Sequence, residues 1–217
     1  MTQDWTLDEL TEKLAPEIAA NAAFDGWGEE ALTMAADAAG VDPGVARLAY
    51  PGGAVDMIDA WFRHVDRAML TALPPAELAG MKIRARIAGL VEARLAAVAP
   101  DREALRRALA TLAMPQHLAR AARLGWRTVD TIWRAAGDTA TDYNHYTKRA
   151  ILLGVYGATL SVFLDDESEA FADTRAFLGR RIDGIMRFEK AKAGFAKRTE
   201  HMPSLSRFIG RLRYPAV

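Results

Sequence analysis

The sequence predicts an all-α protein built from nine or ten helices. Apolar residues recur three and four positions apart along almost the whole chain, which is the helical period. Val, Ile and Thr show no sustained period-two alternation, so no strand is predicted. With 217 residues, 51% of them hydrophobic, the chain is long enough to bury a sizeable core.

The helices can be placed in order from their start and stop signals. Asp42 and Pro43 suit the N-cap and the first helical position of the third helix. The fourth helix has a predicted buried face of Met57, Trp61, Val65 and Met69. The predicted helices are 7–22, 29–39, 43–50, 54–73, 77–98, 100–112, 115–136, 144–164 and 168–193.

Composition excludes several classes of protein. There is no cysteine, which excludes disulfides, thiolate metal sites and cysteine nucleophiles. The longest apolar run, 150–164, is shorter than the roughly 20 residues that span a bilayer. The first residues are acidic and polar and lack the features of a signal or transit peptide. We therefore expect a cytoplasmic protein.

The 28 basic and 28 acidic residues balance, but they are unevenly distributed. Residues 1–60 contain twelve acids and two bases, a net charge of −10. Residues 187–217 contain eight bases and two acids, a net charge of +6. Both runs could be solvated faces, but only the C-terminal end is expected to be drawn to an anionic surface.

The first three helices suggest a helix-turn-helix. Small residues at 35–39 allow two helices to cross closely, and Gly40 permits a tight left-handed turn before the short third helix. This pattern resembles the TetR-like regulator fold. That unit binds DNA through Lys and Arg, whereas the third helix here offers only Arg47 in a strongly acidic segment. We therefore expect the fold without DNA binding.

No motif for catalysis is found. The chain has no paired Glu-x-x-His for a di-iron bundle, no His-Glu-x-x-His, no Walker A loop and no Gly-x-Ser-x-Gly. Asp138, Asp142 and His145 would share one helical face and could form a metal site, but aspartates at a turn are more commonly helix caps. We predict no catalytic residue, no metal and no cofactor other than a bound lipid.

The larger bundle has apolar faces that either form an ordinary core or line a ligand cavity. Glycine in mid-helix costs about 1 kcal/mol relative to alanine, so Gly125 and Gly154 indicate either close helix contact or space for a ligand. The candidate lipid-binding residues are Gly125, Val129, Trp133, Ile151, Gly154, Val155, Tyr156, Phe163, Phe177 and Ile182.

The C-terminal segment predicts an amphipathic helix that lies on a membrane. At about 100° per residue, its apolar residues fall on one face and two arginines lie opposite. The alternative is a terminal helix docked on the bundle or on a partner subunit. The candidate membrane-binding residues are Leu205, Arg207, Phe208, Ile209, Arg211 and Leu212.

Three stretches together resemble a known family. They read GWxxxAL with AAG (26–40), YPGGAVDMI (50–58), and IWRAAGDxxTDYNxYTKRA with VYxxT and RRI (132–182). This combination resembles the ubiquinone (coenzyme Q) biosynthesis accessory protein family, Coq nine in words. The third stretch is the longest and the most specific, and the resemblance covers most of the chain.

The resemblance implies a homodimer with a TetR-like fold that is not an enzyme. Such a protein takes isoprenoid quinone intermediates or other lipids from the inner membrane and presents them to a quinone-ring hydroxylase, in many organisms a di-iron enzyme. The partner-binding residues that it implies are Asp142, Tyr143, Asn144, His145, Tyr146 and Arg149. Many family members have Trp where this chain has His145.

Three hypotheses for function stay open at this point: a lipid-presenting accessory protein, a ligand-responsive transcription regulator and a helical enzyme. We expect the first. It implies a degenerate helix-turn-helix region at 1–73, a lipid-binding bundle at 74–195, and a linker with a membrane helix at 196–217. DNA mobility shift separates the first hypothesis from the second.

Overall fold

The computed structural model describes residues 5–141 and 143–199, without the side chains of residues 143 and 186–199. Within these residues the fold is entirely helical, with ten α-helices and three short 3-10 turns and no strand. The predicted all-α class is therefore confirmed. The α-helices are α1 Leu7–Asp25, α2 Glu29–Ala38, α3 Pro43–Ala49, α4 Ala54–Ala72, α5 Pro75–Ala79, α6 Ile83–Val98, α7 Arg102–Leu112, α8 Leu118–Ala135, α9 Tyr143–Asp165 and α10 Ala172–Thr199.

Two helices differ from the sequence prediction. The predicted helix 77–98 is two helices, because the chain breaks between α5 and α6 at residues 80–82. The predicted end of the last helix near residue 193 is also wrong, since α10 continues to Thr199 through the charged stretch interpreted as a linker. The segment 200–217, with all the predicted membrane-binding residues, lies outside the described residues.

The chain divides into two compact units, one ending at Leu178 and the other beginning at Gly179. The first unit contains α1 to α9 and the start of α10, and the second contains the rest of α10. The predicted domain boundaries after residues 73 and 195 stay predictions.

The first three helices form the predicted helix-turn-helix arrangement. The Asp42 carboxylate accepts hydrogen bonds from the backbone N–H groups of Gly44 and Val45, at 2.8 and 3.1 Å, which confirms it as the N-cap of α3. Gly40, at φ 67°, makes the left-handed turn between α2 and α3. The Tyr50 hydroxyl, at the end of α3, donates to the Thr11 carbonyl of α1 at 2.9 Å.

Helix α4 joins this unit to the larger bundle. Its predicted face is buried, including Met57, Trp61, Val65 and Met69. The Trp61 ring lies 5.3 Å from the ring of Trp27, whose indole N–H donates to the Ala104 carbonyl of α7 at 2.9 Å. The prediction of this buried face is confirmed.

A buried charge network holds four helices together. Arg94 of α6 is 1% exposed, and its Nε donates to the Asp66 carboxylate of α4 at 2.9 Å. Its two terminal nitrogens donate to the Tyr156 hydroxyl of α9 at 2.5 Å and to the Thr128 hydroxyl of α8 at 3.4 Å. Burial opposes the charge on Arg94, but Tyr156 and Asp66 raise the pKa of the guanidinium. Burial raises the pKa of Tyr156, because it disfavours the charged phenolate, so the Tyr156 hydroxyl stays protonated.

Ion pairs along the α4–α8 contact extend this network. Arg120 of α8 binds the Asp56 carboxylate at 2.5 Å, and Arg127, two turns further along α8, binds Asp59. Both acids are on α4. The contact between α4 and α8 is therefore fixed in register by charge as well as by packing.

Replacing Arg94 should destabilise the bundle strongly. Arg94→Ala removes the hydrogen-bonded partner of the buried Asp66 carboxylate and leaves only Arg127 Nε, 4.0 Å away. We expect a loss of roughly 3–5 kcal/mol in the free energy of unfolding. Urea unfolding followed by circular dichroism measures this loss. Arg123→Ala, at an exposed arginine of α8, is the matched control and should change stability by no more than about 0.5 kcal/mol. Equal stability of the two variants would contradict the role given to Arg94.

Candidate interaction site on helices α8 and α9

The turn between α8 and α9 is fixed by backbone and side-chain hydrogen bonds. Gly137, at φ 93°, follows the end of α8 in a left-handed conformation. The N–H of Asp138 then donates to the Trp133 carbonyl at 2.9 Å. The indole N–H of Trp133 donates across to the Lys148 carbonyl of α9 at 3.1 Å. Arg86 of α6 supports the turn, because its guanidinium donates to the Ala136 carbonyl at 2.9 Å.

A cluster of four charged side chains lies beneath this turn. The Asp138 carboxylate binds the Lys148 ammonium at 2.7 Å and the Arg149 guanidinium at 3.0 Å. The Nε of Arg149 binds the Asp130 carboxylate of α8 at 2.6 Å. Burial favours protonation of Asp138, but the hydrogen bonds from Lys148 and Arg149 hold the pKa of its carboxyl below its usual value. The cluster therefore joins the first turns of α9 to α8 as charged pairs.

An aromatic group is exposed directly above this cluster. The Tyr146 side chain is 61% exposed. Its ring lies 6.2 Å from the half-buried Trp126 ring of α8 and 5.1 Å from the His145 ring, which meets it edge to face. His145 is held in place by a 2.9 Å contact between its Nδ1 and the Ala140 carbonyl. Exposed aromatic rings on a rigid base are typical of protein interaction surfaces.

The predicted partner-binding residues divide into three groups. Asn144, His145 and Tyr146 lie at the surface at the start of α9, where Asn144 and Tyr146 are exposed and His145 is half-buried. Arg149 does not lie on this surface, because it is 1% exposed and bound to the two aspartates. Asp142 and the Tyr143 side chain lie outside the described residues.

The sequence analysis did not identify Trp126 as part of this group. A large aromatic residue beside Arg127 and close to Arg123 is an unusual feature of a helix surface. That feature could have drawn attention to Trp126. The proximity of Trp126 to Tyr146 depends on where α8 and α9 cross, and that position cannot be predicted from the sequence.

The candidate lipid-binding residues lie at several depths. Trp133, Ile151 and Phe177 are partly exposed, and Ile182 is buried in the second unit. Gly125 is also partly exposed, whereas Gly154 is exposed. Those buried in the first unit are Val129, Val155, Tyr156 and Phe163.

The two mid-helix glycines have different surroundings. A Cβ on Gly125 would lie 2.8 Å from Cδ1 of Leu153, so Gly125 allows α8 and α9 to touch. A Cβ on Gly154 would meet no described atom within 4 Å. Gly154 is exposed and makes no close helix contact, so space for a ligand beside it stays a prediction.

Helix α9 is unusually apolar for a helix with so much accessible surface. Within Asn144–Asp165, the most apolar 18 residues have a mean hydropathy of 1.2, and a third of these residues are buried. By length and composition this stretch could cross a membrane, although core helices of soluble proteins meet the same criterion. The expectation that no segment is long enough therefore does not hold for α9.

Of the three residues that could form a metal site, Asp138 and His145 have other partners, and Asp142 lies outside the described residues. The Asp138 carboxylate is bound by Lys148 and Arg149, and Nδ1 of His145 is directed at the Ala140 carbonyl. Among the residues that the structure describes, no group of three His, Asp or Glu side chains is arranged to hold a metal ion.

The fold places the chain in the TetR-like class of helical proteins. It is similar to the crystal structure of a TetR transcriptional regulator from Nitrosomonas europaea ATCC 19718, with a TM-score of 0.65 and 25% sequence identity. The similarity covers 80% of this chain and 96% of that chain. The predicted TetR-like architecture is therefore confirmed.

Residues 118–189 match the COQ9 family. The chain is 34% identical over 169 residues to the mitochondrial ubiquinone biosynthesis protein COQ9 of Rattus norvegicus, covering 74% of this chain and 54% of the relative. It is 32% identical to the Bos taurus protein, covering 74% and 52%. The chain thus spans about half the length of these relatives. The resemblance to the ubiquinone biosynthesis family is confirmed, and the matched segment contains the whole α8–α9 site.

Replacing Asp138 should have a pH-dependent effect on stability. Because the pKa of Asp138 is lowered in the folded state, its stabilising effect is complete above the unfolded value of about 3.9 and is lost as pH falls through the folded value. Asp138→Asn should therefore lower the melting temperature at pH 7, and this difference from the wild type should shrink below about pH 4. Circular dichroism melts across pH measure it.

The matched control is Asp37→Asn, at an exposed aspartate of α2. It should leave the melting temperature unchanged at pH 7. A deficit in Asp138→Asn that stays constant from pH 7 to pH 3 would show that charge on Asp138 is not the cause.

Proposed function

We propose that this protein is a non-catalytic lipid-binding protein of ubiquinone biosynthesis. It takes isoprenoid quinone intermediates from the membrane and presents them to a ring hydroxylase. The observation that carries this proposal is the match of residues 118–189 to COQ9, because that segment includes both the aromatic group and all the candidate lipid-binding residues. The COQ9 relatives are proteins of ubiquinone biosynthesis.

The lipid is held by apolar side chains of α8 and α9. Val129 and Phe163 supply buried apolar surface, and Trp133 and Ile151 are partly exposed at the level of the α8–α9 turn. Burying an apolar chain gains about 0.8 kcal/mol for each methylene, so apolar side chains alone can hold an isoprenoid tail. Tyr156 presents a buried hydroxyl among these residues, and the Arg94 guanidinium donates a hydrogen bond to it.

The hydroxylase binds at the exposed aromatic group of Tyr146, His145 and Trp126. Arg149 acts as a positioning residue for this surface, because it fixes the first turns of α9 without being exposed. The surface begins the same helix that carries Ile151 and Val155. A bound quinone ring would therefore lie within a few helical turns of the partner.

The membrane is reached through residues 203–217. At helical spacing this segment would have an apolar face that includes Phe208 and Leu212, with Arg207 and Arg211 opposite it. Each basic residue near an anionic leaflet contributes about 1 kcal/mol to binding. The protein works as a homodimer at the cytoplasmic surface of the inner membrane.

A TetR-like transcription regulator is the second candidate function, because the solved structure with the similar fold is a regulator. Charge argues against it. Residues 1–60 carry a net charge of −10, and the one arginine of α3, Arg47, is bound to Glu29 at 2.5 Å. A duplex would be repelled rather than attracted by this segment. Absence of any mobility shift with genomic DNA fragments at low salt would eliminate the regulator.

Removing the Tyr146 ring should weaken binding of the hydroxylase. We expect Tyr146→Ala to raise the Kd for a co-expressed ubiquinone-pathway ring hydroxylase by about tenfold or more, because an exposed aromatic anchor is lost. Quinone output in cells should fall in parallel. Fold and bound lipid should be unchanged, since Tyr146 is mostly solvent-exposed.

Phe24→Ala is the matched control, because Phe24 is also an exposed aromatic residue but lies at the end of α1. It should leave hydroxylase binding unchanged. If Tyr146→Ala binds as the wild type does, or if its melting temperature collapses and lipid is lost, the aromatic group is not a partner site.

Flotation with anionic vesicles tests the membrane segment. Leu205→Ser with Phe208→Ser should abolish flotation, because two apolar residues can no longer enter the interface. Ser204→Ala with Ser206→Ala, in the same segment, should float as the wild type does. Deletion of 203–217 should match the first variant and leave the helical circular dichroism of the remaining chain nearly intact. Flotation of the deletion variant would refute membrane binding by this segment.

A further inference from the structure

The connection between α9 and α10 holds two residues in an unusual backbone conformation. Ala170, at φ 49° and ψ 33°, and Phe171, at φ 56°, both lie in the left-handed region, although neither is glycine. They are the only non-glycine residues with a positive φ in the part of the chain that the structure describes. This conformation is unfavourable for L-residues and persists only where the surrounding structure holds it. The Ala170–Phe171 turn is therefore strained.

One carboxylate anchors both ends of this turn. Asp166 is buried just after the end of α9, and one of its oxygens accepts hydrogen bonds from the N–H and the hydroxyl of Ser168, at 2.8 and 2.5 Å. The other oxygen accepts from the N–H and the hydroxyl of Thr174, in the first turn of α10, at 2.8 and 2.5 Å. Arg102 of α7 donates to the Asp166 carbonyl at 2.6 Å. Residues 170 and 171 therefore lie between two fixed points and can change conformation without displacing either helix.

The strained turn places the Phe171 ring over a buried apolar residue. The centroid of this ring lies 4.8 Å from that of Phe163, which is fully buried and is one of the candidate lipid-binding residues. Phe171 is itself half-buried, and the Arg102 guanidinium lies 5.7 Å from its ring. An apolar ligand reaches Phe163 only if a side chain that covers it moves away. Moving Phe171 would also relieve the strain in its backbone.

We propose that the Ala170–Phe171 turn is a gate through which a long apolar chain reaches Phe163. In the closed form the Phe171 ring packs on Phe163, and backbone strain opposes this packing. In the open form the turn relaxes, the ring moves out, and the apolar chain takes its place against Phe163. Because strain and packing oppose each other, the two forms are close in free energy, and a ligand that binds only the open form shifts the population toward it. The inference rests on the proposed lipid binding and adds the route of entry.

Ala170→Gly should slow the entry of the ligand. Glycine adopts a positive φ without the steric cost that alanine bears, so this variant stabilises the closed form. Stopped-flow fluorescence of the full chain with parinaric acid, a fluorescent long-chain fatty acid, measures the rate of uptake. We expect this rate to fall about threefold or more. Ala172→Gly is the matched control, because Ala172 has an ordinary φ of −61°, and it should not slow uptake.

Phe171→Ala should have the opposite effect. It removes the ring that covers Phe163, so uptake should be faster than in the wild type. In this background Ala170→Gly should no longer slow uptake, because no ring remains to be held in place. This coupling between the two substitutions separates a gate from a turn that affects only stability. Circular dichroism checks that each variant is folded.

Hydrogen exchange gives a measurement that does not depend on the lipid. The Phe171 N–H donates to the Ser168 carbonyl at 3.1 Å in the closed turn, so it exchanges with solvent when the turn opens. Its exchange should be about threefold slower in Ala170→Gly than in the wild type.

The two proposals fail in different ways. If the wild type takes up parinaric acid at a rate that neither Ala170→Gly nor Phe171→Ala changes, the gate is wrong and lipid binding stands. If the wild type takes up none, the proposed function is contradicted, and hydrogen exchange decides the gate. Equal exchange of the Phe171 amide in the wild type and in Ala170→Gly would overturn it.

Discussion

The Arg94 guanidinium is the buried charge on which the packing of the larger bundle depends. From α6 it reaches Asp66 on α4, Thr128 on α8 and Tyr156 on α9. A buried charge is tolerated only where its hydrogen bonds are met. The four helices therefore have to approach one another in an arrangement that brings these acceptors around one side chain. The network fixes α8 and α9 along their middle turns.

A second cluster fixes the same two helices where they join. Arg149 is bound by Asp130 and Asp138 beneath the α8–α9 turn, while the Tyr146 ring remains exposed above it. Between the two clusters lie apolar candidates such as Val129 on α8. The proposed presentation of a lipid to a partner rests on this arrangement, in which an aromatic surface and apolar side chains lie on the same pair of helices.

Features set by local periodicity could be predicted from the sequence, and features set by neighbouring helices could not. The helical class and the Asp42 cap follow from spacing and residue type alone. From the sequence, Arg94 is expected at the surface, because charged residues are mostly exposed. Its burial depends on partners from other helices, which only the folded structure brings together. Gly125 and Gly154 look alike in sequence, but one touches α9 and the other is exposed. The spacing of Tyr143, His145 and Tyr146 indicates that at least one of these rings is exposed, because they cannot all face one core, but the packing decides that it is Tyr146.

Lipid analysis of the purified full chain tests lipid presentation most directly. The protein would be isolated from cells that make ubiquinone, and its extract would be examined by mass spectrometry beside an extract of an unrelated protein of similar size. The proposal predicts an isoprenoid quinone intermediate or another long apolar lipid in amounts close to those of the protein, absent from the comparison extract. A folded protein that carries no lipid beyond the background of that extract would contradict it.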